Sequence, residues 1–257
     1  LSRGAERRDG AWRLSLADGR ALGARFVVDA TGGAAAVARG QGARFVASDR
    51  LVAVARFFAG HGGGEDPRTL VEAFADGWWY TAALPGGQRI VACMTDADLA
   101  RRLRLREPSR WWGQLQAAAR VAAAVRGAHP RGPLLVRAAP SRRLEPAVGD
   151  GWLAAGDAAS IFDPLSSQGI AKALRSGIFA SYAVADLLVA GDGRGIERYR
   201  RYVRDEFASY AGVRAKVYGE ERRWPRGEFW RRRHSALPAE VPPHAPSFSG
   251  EAPIPPG

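Results

Sequence analysis

The chain has 257 residues, 46% of them hydrophobic and 25% charged, with a formal net charge of +12. That length suffices for one large or two small domains; the single cysteine excludes an internal disulfide framework and suits a reducing cytoplasm, four scattered histidines offer no metal-ligand spacing, and neither a signal peptide nor the ~20 uninterrupted apolar residues of a membrane span is evident. Lys172 and Lys216 are the only lysines, so 38 − 2 = 36 basic residues are arginine, and this surplus of Arg, Ala and Gly reads as base-composition bias rather than the footprint of a nucleic-acid binder.

The first signal in chain order is Gly10-Ala-Trp-Arg-Leu-Ser-Leu-Ala-Asp-Gly19. Trp12, Leu14 and Leu16 alternate with polar neighbours up to an Asp-Gly turn, which predicts a half-exposed strand and hairpin. Phe26-Val-Val-Asp-Ala-Thr-Gly-Gly33 is a buried-strand pattern ending in small residues that let a dinucleotide approach the backbone, so Thr31 and Gly32 are candidate cofactor contacts. Residues 47–58 read as a strand through Leu51, Val54 and Phe57. Gly60-His-Gly-Gly-Gly64 runs into Glu65-Asp66-Pro67 with no apolar helix behind it, so it is not the Gly-x-Gly-x-x-Gly turn of a dinucleotide fold.

Asp76-Gly-Trp-Trp-Tyr-Thr-Ala-Ala-Leu-Pro85 and Gln88-Arg-Ile-Val-Ala-Cys-Met-Thr95 predict a hairpin about Pro85-Gly86-Gly87, with Cys93 as a small core residue. Residues 108–124 predict a helix burying Trp111, Trp112, Leu115, Ala118, Ala119 and Ala122, and 133–139 another strand. Residues 46–139 thus predict a mixed-sheet substrate domain, inserted between two parts of a cofactor domain at 1–45 and 140–190.

The most informative stretch is Gly151-Trp-Leu-Ala-Ala-Gly-Asp-Ala-Ala-Ser-Ile-Phe-Asp-Pro-Leu-Ser-Ser-Gln-Gly-Ile170. A short apolar strand runs into Gly156-Asp157, and a turn at Asp163-Pro164 leads to a helix beginning near Ser166 and rich in small residues. A carboxylate at the end of a strand can bind a sugar hydroxyl, and a helix start with glycine in its first turn opens its N–H groups to a ligand. The run resembles the second FAD-contacting motif of flavoprotein monooxygenases. The resemblance implies that Gly156 and Asp157 hold the ribityl or pyrophosphate part, that Asp163 and Pro164 shape the turn, and that Gln168, Gly169 and Ile170 face the isoalloxazine.

Residues 191–237 read as a helical region. Within 195–233 twelve basic and six acidic residues leave a net +6, and Tyr199, Tyr202, Phe207 and Tyr210 fall on helical spacing. That predicts an amphipathic helix with a solvated arginine face, with a surface for an acidic partner as the second reading. Prolines from Pro238 to Pro256 make 238–257 an extended tail.

Gly77-Trp-Trp-Tyr-Thr-Ala-Ala-Leu-Pro-Gly-Gly87, Asp163-Pro-Leu-Ser-Ser-Gln-Gly-Ile170 and Arg222-Arg-Trp-Pro-Arg-Gly-Glu-Phe-Trp-Arg-Arg232 resemble the tryptophan-halogenase-like branch of FAD-dependent monooxygenases. Within it they are most similar to flavoproteins of tryptophylquinone-type cofactor maturation. The resemblance implies an α/β fold of the two-dinucleotide-binding-domain, Rossmann-like type. Its opening strand, Gly-x-Gly-x-x-Gly turn and helix belong upstream of Thr31, where this chain has only thirty residues. The expectation is a carboxyl-terminal part of a longer protein.

The resemblance further implies FAD as cofactor, reduced by NAD(P)H directly or through a separate flavin reductase, and oxygen chemistry through a flavin C4a-hydroperoxide. Trp78, Trp79 and Tyr80 would line an aromatic pocket, and Ser166 and Ser167 sit where halogenases bind halide. Halogenases carry Trp-x-Trp-x-Ile-Pro, whereas Trp78-Trp79-Tyr80-Thr81-Ala82-Ala83 stands here. Hydroxylation of an aromatic small molecule or of a tryptophan in a partner polypeptide is therefore the expected reaction. Halogenation, a geranylgeranyl-reductase-like reduction and a non-catalytic binding module remain alternatives. No residue stands out as a catalytic acid or base.

Overall fold

The computed structural model describes residues 2–60 and 68–235. The segment His61-Gly-Gly-Gly64 and the proline-rich tail lie outside the described residues. In chain order the first part gives β1 (Ser2–Arg8), β2 (Ala11–Leu16), β3 (Ala21–Ala24), β4 (Val27–Asp29), α1 (Ala36–Gly40) and β5 (Arg44–Ala47). The middle gives β6 (Leu51–Ala59), β7 (Leu70–Phe74), β8 (Gly77–Leu84), β9 (Gln88–Asp96), α2 (Ala97–Arg102), α3 (Pro108–Ala117), α4 (Ala119–Ala123) and β10 (His129–Ala138). The last part gives β11 (Arg142–Glu145), β12 (Val148–Gly149), β13 (Trp152–Ala154), β14 (Ser160–Ile161), α5 (Gly169–Ala190), α6 (Arg194–Glu220) and α7 (Glu228–His234).

The strand pattern about Trp12 forms the centre of the antiparallel sheet β1-β2-β3, with Trp12 buried and its indole N–H donating to the Gly151 carbonyl at 2.7 Å. β4 and β13 lie side by side and parallel, Val28 opposite Leu153, although more than a hundred residues separate them in sequence. This pairing carries the strand ends of both glycine motifs to one edge. The intervening residues fold into the five-stranded antiparallel sheet β10-β6-β9-β8-β7.

Alternation gives this sheet two different faces. Val54, Phe58, Trp79, Val91 and Cys93 pack under Trp111, Leu115 and Val121 of α3 and α4. The Cys93 thiol is buried there and its pKa is pushed far up by desolvation, which makes it an inert core group. The helix predicted over 108–124 is broken at Ala118 (ψ 86°) into α3 and α4. Trp112 and Ala119 are exposed instead of buried, because neighbours one residue apart cannot share a helix face. The face carrying Leu51, Ala55, Trp78, Ala92 and Met94 meets Tyr218, Phe229 and Trp230 of α6 and α7.

α5 begins at Gly169, three residues later than expected, and α6 covers 194–220 as a single amphipathic helix. The small residues of α5 let the two helices approach closely: a Cβ on Gly195 would lie 3.0 Å from the Ala183 Cα. α5 is also long and apolar enough to cross a membrane, a property that the sequence reading did not anticipate. Ile170, Leu174, Ile178 and Tyr182 form an exposed stripe along it.

Candidate functional site

The Gly-Asp turn is built by close packing behind β13. Gly156 has φ +61°, and its N–H donates to the Ser176 hydroxyl at 2.7 Å, while a Cβ there would sit 3.4 Å from the Cβ of Ala173. Asp157 follows, half exposed at the carboxyl end of the strand. Its carboxylate accepts from Lys172 Nζ at 2.8 Å. Lys172 is fully buried on α5, donates also to the Ser160 carbonyl, and lies over the Phe162 ring. The cation therefore orients the one carboxylate of this turn that faces outward.

Asp163 stands at the turn it is expected to shape. It is 1% exposed, and its carboxylate accepts from Leu165 N (3.0 Å), Arg214 Nε (3.0 Å) and the Tyr218 hydroxyl (2.8 Å). It shapes the turn from inside, with Oδ1 on Leu165 N and Oδ2 shared by Arg214 and Tyr218, and it borders the adjoining cleft. Tyr218 is a neutral donor, because burial and Asp163 push its phenol far up. The same causes push Tyr210 up to about 12. Beyond Asp163 and Pro164 a short 3-10 turn ends at Ser167 in the left-handed region (φ +53°), and α5 starts with no side chain capping its N-terminus. The N–H groups of its first turn are thus left for a ligand.

A cleft of about 430 Å³ lies between this turn, the end of β10 and the loop after β4. Asp157, the run 161–164, Ser167, Gln168 and Gly169 line it from one side, and Gly33, Ala138, Ala139 and Arg142 from the other. The structure thus brings together the two glycine motifs that the sequence separates. Thr31 and Ser166 do not line the cleft. The Thr31 hydroxyl donates to Asp29 Oδ1 (2.6 Å) and accepts from Ala36 N (2.7 Å), whereas Ser166 Oγ accepts from Gln168 N at 3.4 Å. Gly32 takes φ +65° to turn the chain, and the Ile170 side chain points to solvent, leaving its backbone as its contribution.

Four residues escaped the sequence reading. Asp29 is the buried anchor of the first motif, accepting from Thr31 N, Thr31 Oγ1 and Ala38 N. Lys172 and Ser176 support the second. Arg142 spans the two, donating to the Gly33 carbonyl at 2.7 Å and lying over the Phe45 ring. Burial, then Arg39, lower its pKa, Asp157 acting against them. Its Nε is buried without a hydrogen-bond partner. A cation with an orphaned donor, an outward carboxylate and an open helix N-terminus around one cleft fit the anionic and hydroxyl groups of a dinucleotide such as FAD. A larger depression of about 650 Å³ lies between Arg143–Val148 and α6, but it holds no motif residue, and three of its arginines pair locally, Arg143 with Glu145, Arg200 with Glu197 and Arg204 with Asp205.

The three residues expected to line an aromatic pocket are divided by the sheet. Trp79 is fully buried on the far face, edge-on to Trp111 at 5.3 Å, so it cannot share a pocket with its neighbours. Trp78 is buried too, donating to the Tyr218 hydroxyl at 2.9 Å. Tyr80 is the half-exposed one. It stands in a cross-strand row with Ala92, Ala55 and Leu135, and the next row carries Ala82, Ile90, Phe57 and Arg131. On the Trp78 face of the sheet these rows make a mainly apolar floor with small residues at Ala55, Ala82 and Ala92 and an arginine on its β10 side, and β10 leads from it to Ala138 and Ala139 in the cleft.

The family model described as tryptophan halogenase matches residues 5–241. The putative FAD-dependent oxidoreductase LodB of Marinomonas mediterranea is 32% identical over 211 residues, 82% of this chain and 56% of that protein. Among solved structures, the flavin-dependent halogenase CmlS superposes with a TM-score of 0.77 at 24% identity, covering 90% of this chain and 44% of its own. The peptidyl tryptophan dihydroxylase QhpG, described as essential for tryptophylquinone cofactor biogenesis, gives 0.65 at 26% identity, covering 91% and 53%. The chain spans about half the length of the relatives it matches.

Proposed function

The chain belongs to the tryptophan halogenase family of flavoprotein oxidoreductases, and from that premise we propose that the protein carrying it is an FAD-dependent monooxygenase that hydroxylates an aromatic substrate, a tryptophan within a partner polypeptide being the first candidate. Bound reduced flavin would supply the activation of dioxygen. The overall change would place one oxygen atom in an aromatic C–H bond as a hydroxyl and release the other as water, with two protons and with two electrons from the reduced cofactor. NAD(P)H, directly or through a separate reductase, would restore it.

This chain's residues bind, orient and shield. Asp157, held by Lys172, would accept from a ribityl hydroxyl or stand beside the pyrophosphate, with Arg142 Nε as an added donor. The N–H groups at 168–170 would face the flavin pyrimidine edge, where negative charge gathers on reduction. The apolar rows about Tyr80 would exclude water from the reacting ring. The cysteine usage supports a cytoplasmic setting.

The observation that supports hydroxylation over halogenation is the floor at Tyr80 and Ala82, with Ala83 next in sequence but on the opposite face of the strand. These are smaller than the Trp and Ile-Pro at the matching places of halogenases, so a larger substrate has room beside the cleft. Halogenation is the second reading, favoured by the family and by Ser167 in the cleft lining. The deciding assay supplies full-length protein with reduced FAD, oxygen and bromide, offering free tryptophan and candidate partner proteins in parallel. Gain of an oxygen mass on a protein side chain is expected; a brominated free indole overturns hydroxylation.

A further inference from the structure

Three polar side chains of α6 fall at intervals of four residues, Tyr210, Arg214 and Tyr218, and so share one stripe of the helix. Each reaches Asp163 of the flavin turn. The Tyr210 hydroxyl accepts from Asp163 N at 2.6 Å, while Arg214 and Tyr218 donate to Oδ2. Each also touches one group on the side of the substrate sheet. Tyr210 bonds the Ser141 hydroxyl (2.6 Å), Arg214 donates to Asp49 (2.8 Å), and Tyr218 accepts from the Trp78 indole (2.9 Å). Arg214 and Asp49 are 12% and 8% exposed, so solvent does little to screen the middle pair.

We propose that this stripe is a three-rung clamp, and that Tyr210, Arg214 and Tyr218 are positioning residues which fix the flavin turn relative to the sheet that carries the substrate. The proposal rests on the flavin reading of the cleft. Its physical content is that the same helix face answers for both sides at once. Each rung joins residue 163 to a different strand at one end of the sheet: the start of β8, the entry to β6 and the exit from β10. A turn held at three points cannot rotate against the sheet, so the distance from flavin to substrate ring is set by α6 rather than by the loop. This matters for oxygen transfer, where a small displacement of the reacting centres lowers the rate steeply.

The test uses the full-length protein carrying Tyr218→Phe, Trp78→Phe and both together. Tyr218→Phe removes one hydroxyl, and with it both bonds of its rung, while the ring packing stays. Each single variant is expected to weaken FAD binding about three- to tenfold, and the double variant no more than Tyr218→Phe alone, since Trp78 acts on the turn only through that hydroxyl. In the cofactor-free protein, amide hydrogen exchange of segment 161–169 is expected to quicken about tenfold in Tyr218→Phe while the α3 amides stay unchanged. Unchanged exchange in that segment, or single variants whose effects on FAD binding add, overturns the clamp. A wild-type protein that binds no FAD would overturn the flavin reading instead, and the exchange measurement would still decide the clamp. Arg214→Met is the harsher variant, because it leaves Asp163 and Asp49 facing each other without a cation.

Discussion

Asp157 and Lys172 offer the sharpest perturbation, because the pair divides a ligand role from a supporting one. Lys172 is 1% exposed and Asp157 50%. Asp157→Ala removes a charged acceptor from the cleft, which corresponds to about 1.5–3 kcal/mol, or roughly 10- to 150-fold in the FAD dissociation constant. It also strands a buried ammonium with the Ser160 carbonyl and the Phe162 ring as its remaining partners. Breaking a fully buried pair costs about 3–5 kcal/mol; with half of Asp157 already solvated, about 1–3 kcal/mol of apo-protein stability is the expected loss.

Lys172→Met keeps the carboxylate, fills the volume, and leaves Asp157 free to turn into water. FAD binding should weaken about three- to tenfold, less than with Asp157→Ala. Flavin fluorescence titration and thermal melting of both variants in the full-length protein measure the two quantities. An unchanged FAD affinity in Asp157→Ala would refute the ligand role. A greater loss in Lys172→Met than in Asp157→Ala would show that the cation itself holds the cofactor.

Gly156 takes φ +61° with Ala173 behind it, so Gly156→Val should cost about 2 kcal/mol or more in stability and lower FAD content; an unchanged melting curve contradicts the packing argument. Arg232 donates to Asp98 and holds its carboxyl well below the usual range, and the Arg102 and Arg232 guanidiniums lower Glu228. For depressed carboxylates the stabilisation is present above the unfolded value near 4 and is lost as the pH falls towards the folded value, so the melting temperature should drop below about pH 4. Arg232→Met should flatten that decline, and an equally steep one would refute the assignment. The exposed stripe Ile170, Leu174, Ile178 and Tyr182 predicts that the 257-residue polypeptide alone purifies colourless and self-associates. Leu174→Gln with Ile178→Gln should reduce its apparent mass in light scattering, and a yellow monomer would contradict this.

The parts of the site legible in the sequence were those whose signal is local. Gly156-Asp157 after an apolar strand and the turn at Pro85-Gly86-Gly87 declare themselves within a few residues, and both stand where expected. The turn-shaping role of Asp163 is legible, but its partners Tyr210, Arg214 and Tyr218 are not, because they lie 47 to 55 positions away. Lys172 was hidden inside an apolar helix, although a lysine kept in a chain that otherwise uses arginine was a usable signal. Asp29 sat within the quoted strand and was overlooked, since a carboxylate ending a buried strand could equally have faced water. The period of two implies that Trp78, Trp79 and Tyr80 cannot all line one pocket, and Trp79 is the one on the opposite face. The break at Ala118 has no Gly or Pro to announce it; the Glu72 carboxylate, far away in sequence, accepts from Arg120 N and Val121 N at the start of α4.

The central claim is that the cleft between the two glycine motifs is where the flavin sits. A crystal structure of the full-length protein with FAD bound tests it most directly. The expected result is the flavin pyrimidine edge within about 3.2 Å of the backbone N–H groups of 168–170, with Asp157 on the ribityl or pyrophosphate part. Flavin density in the arginine-lined depression beside α6, or anywhere away from residues 156–170, would contradict it.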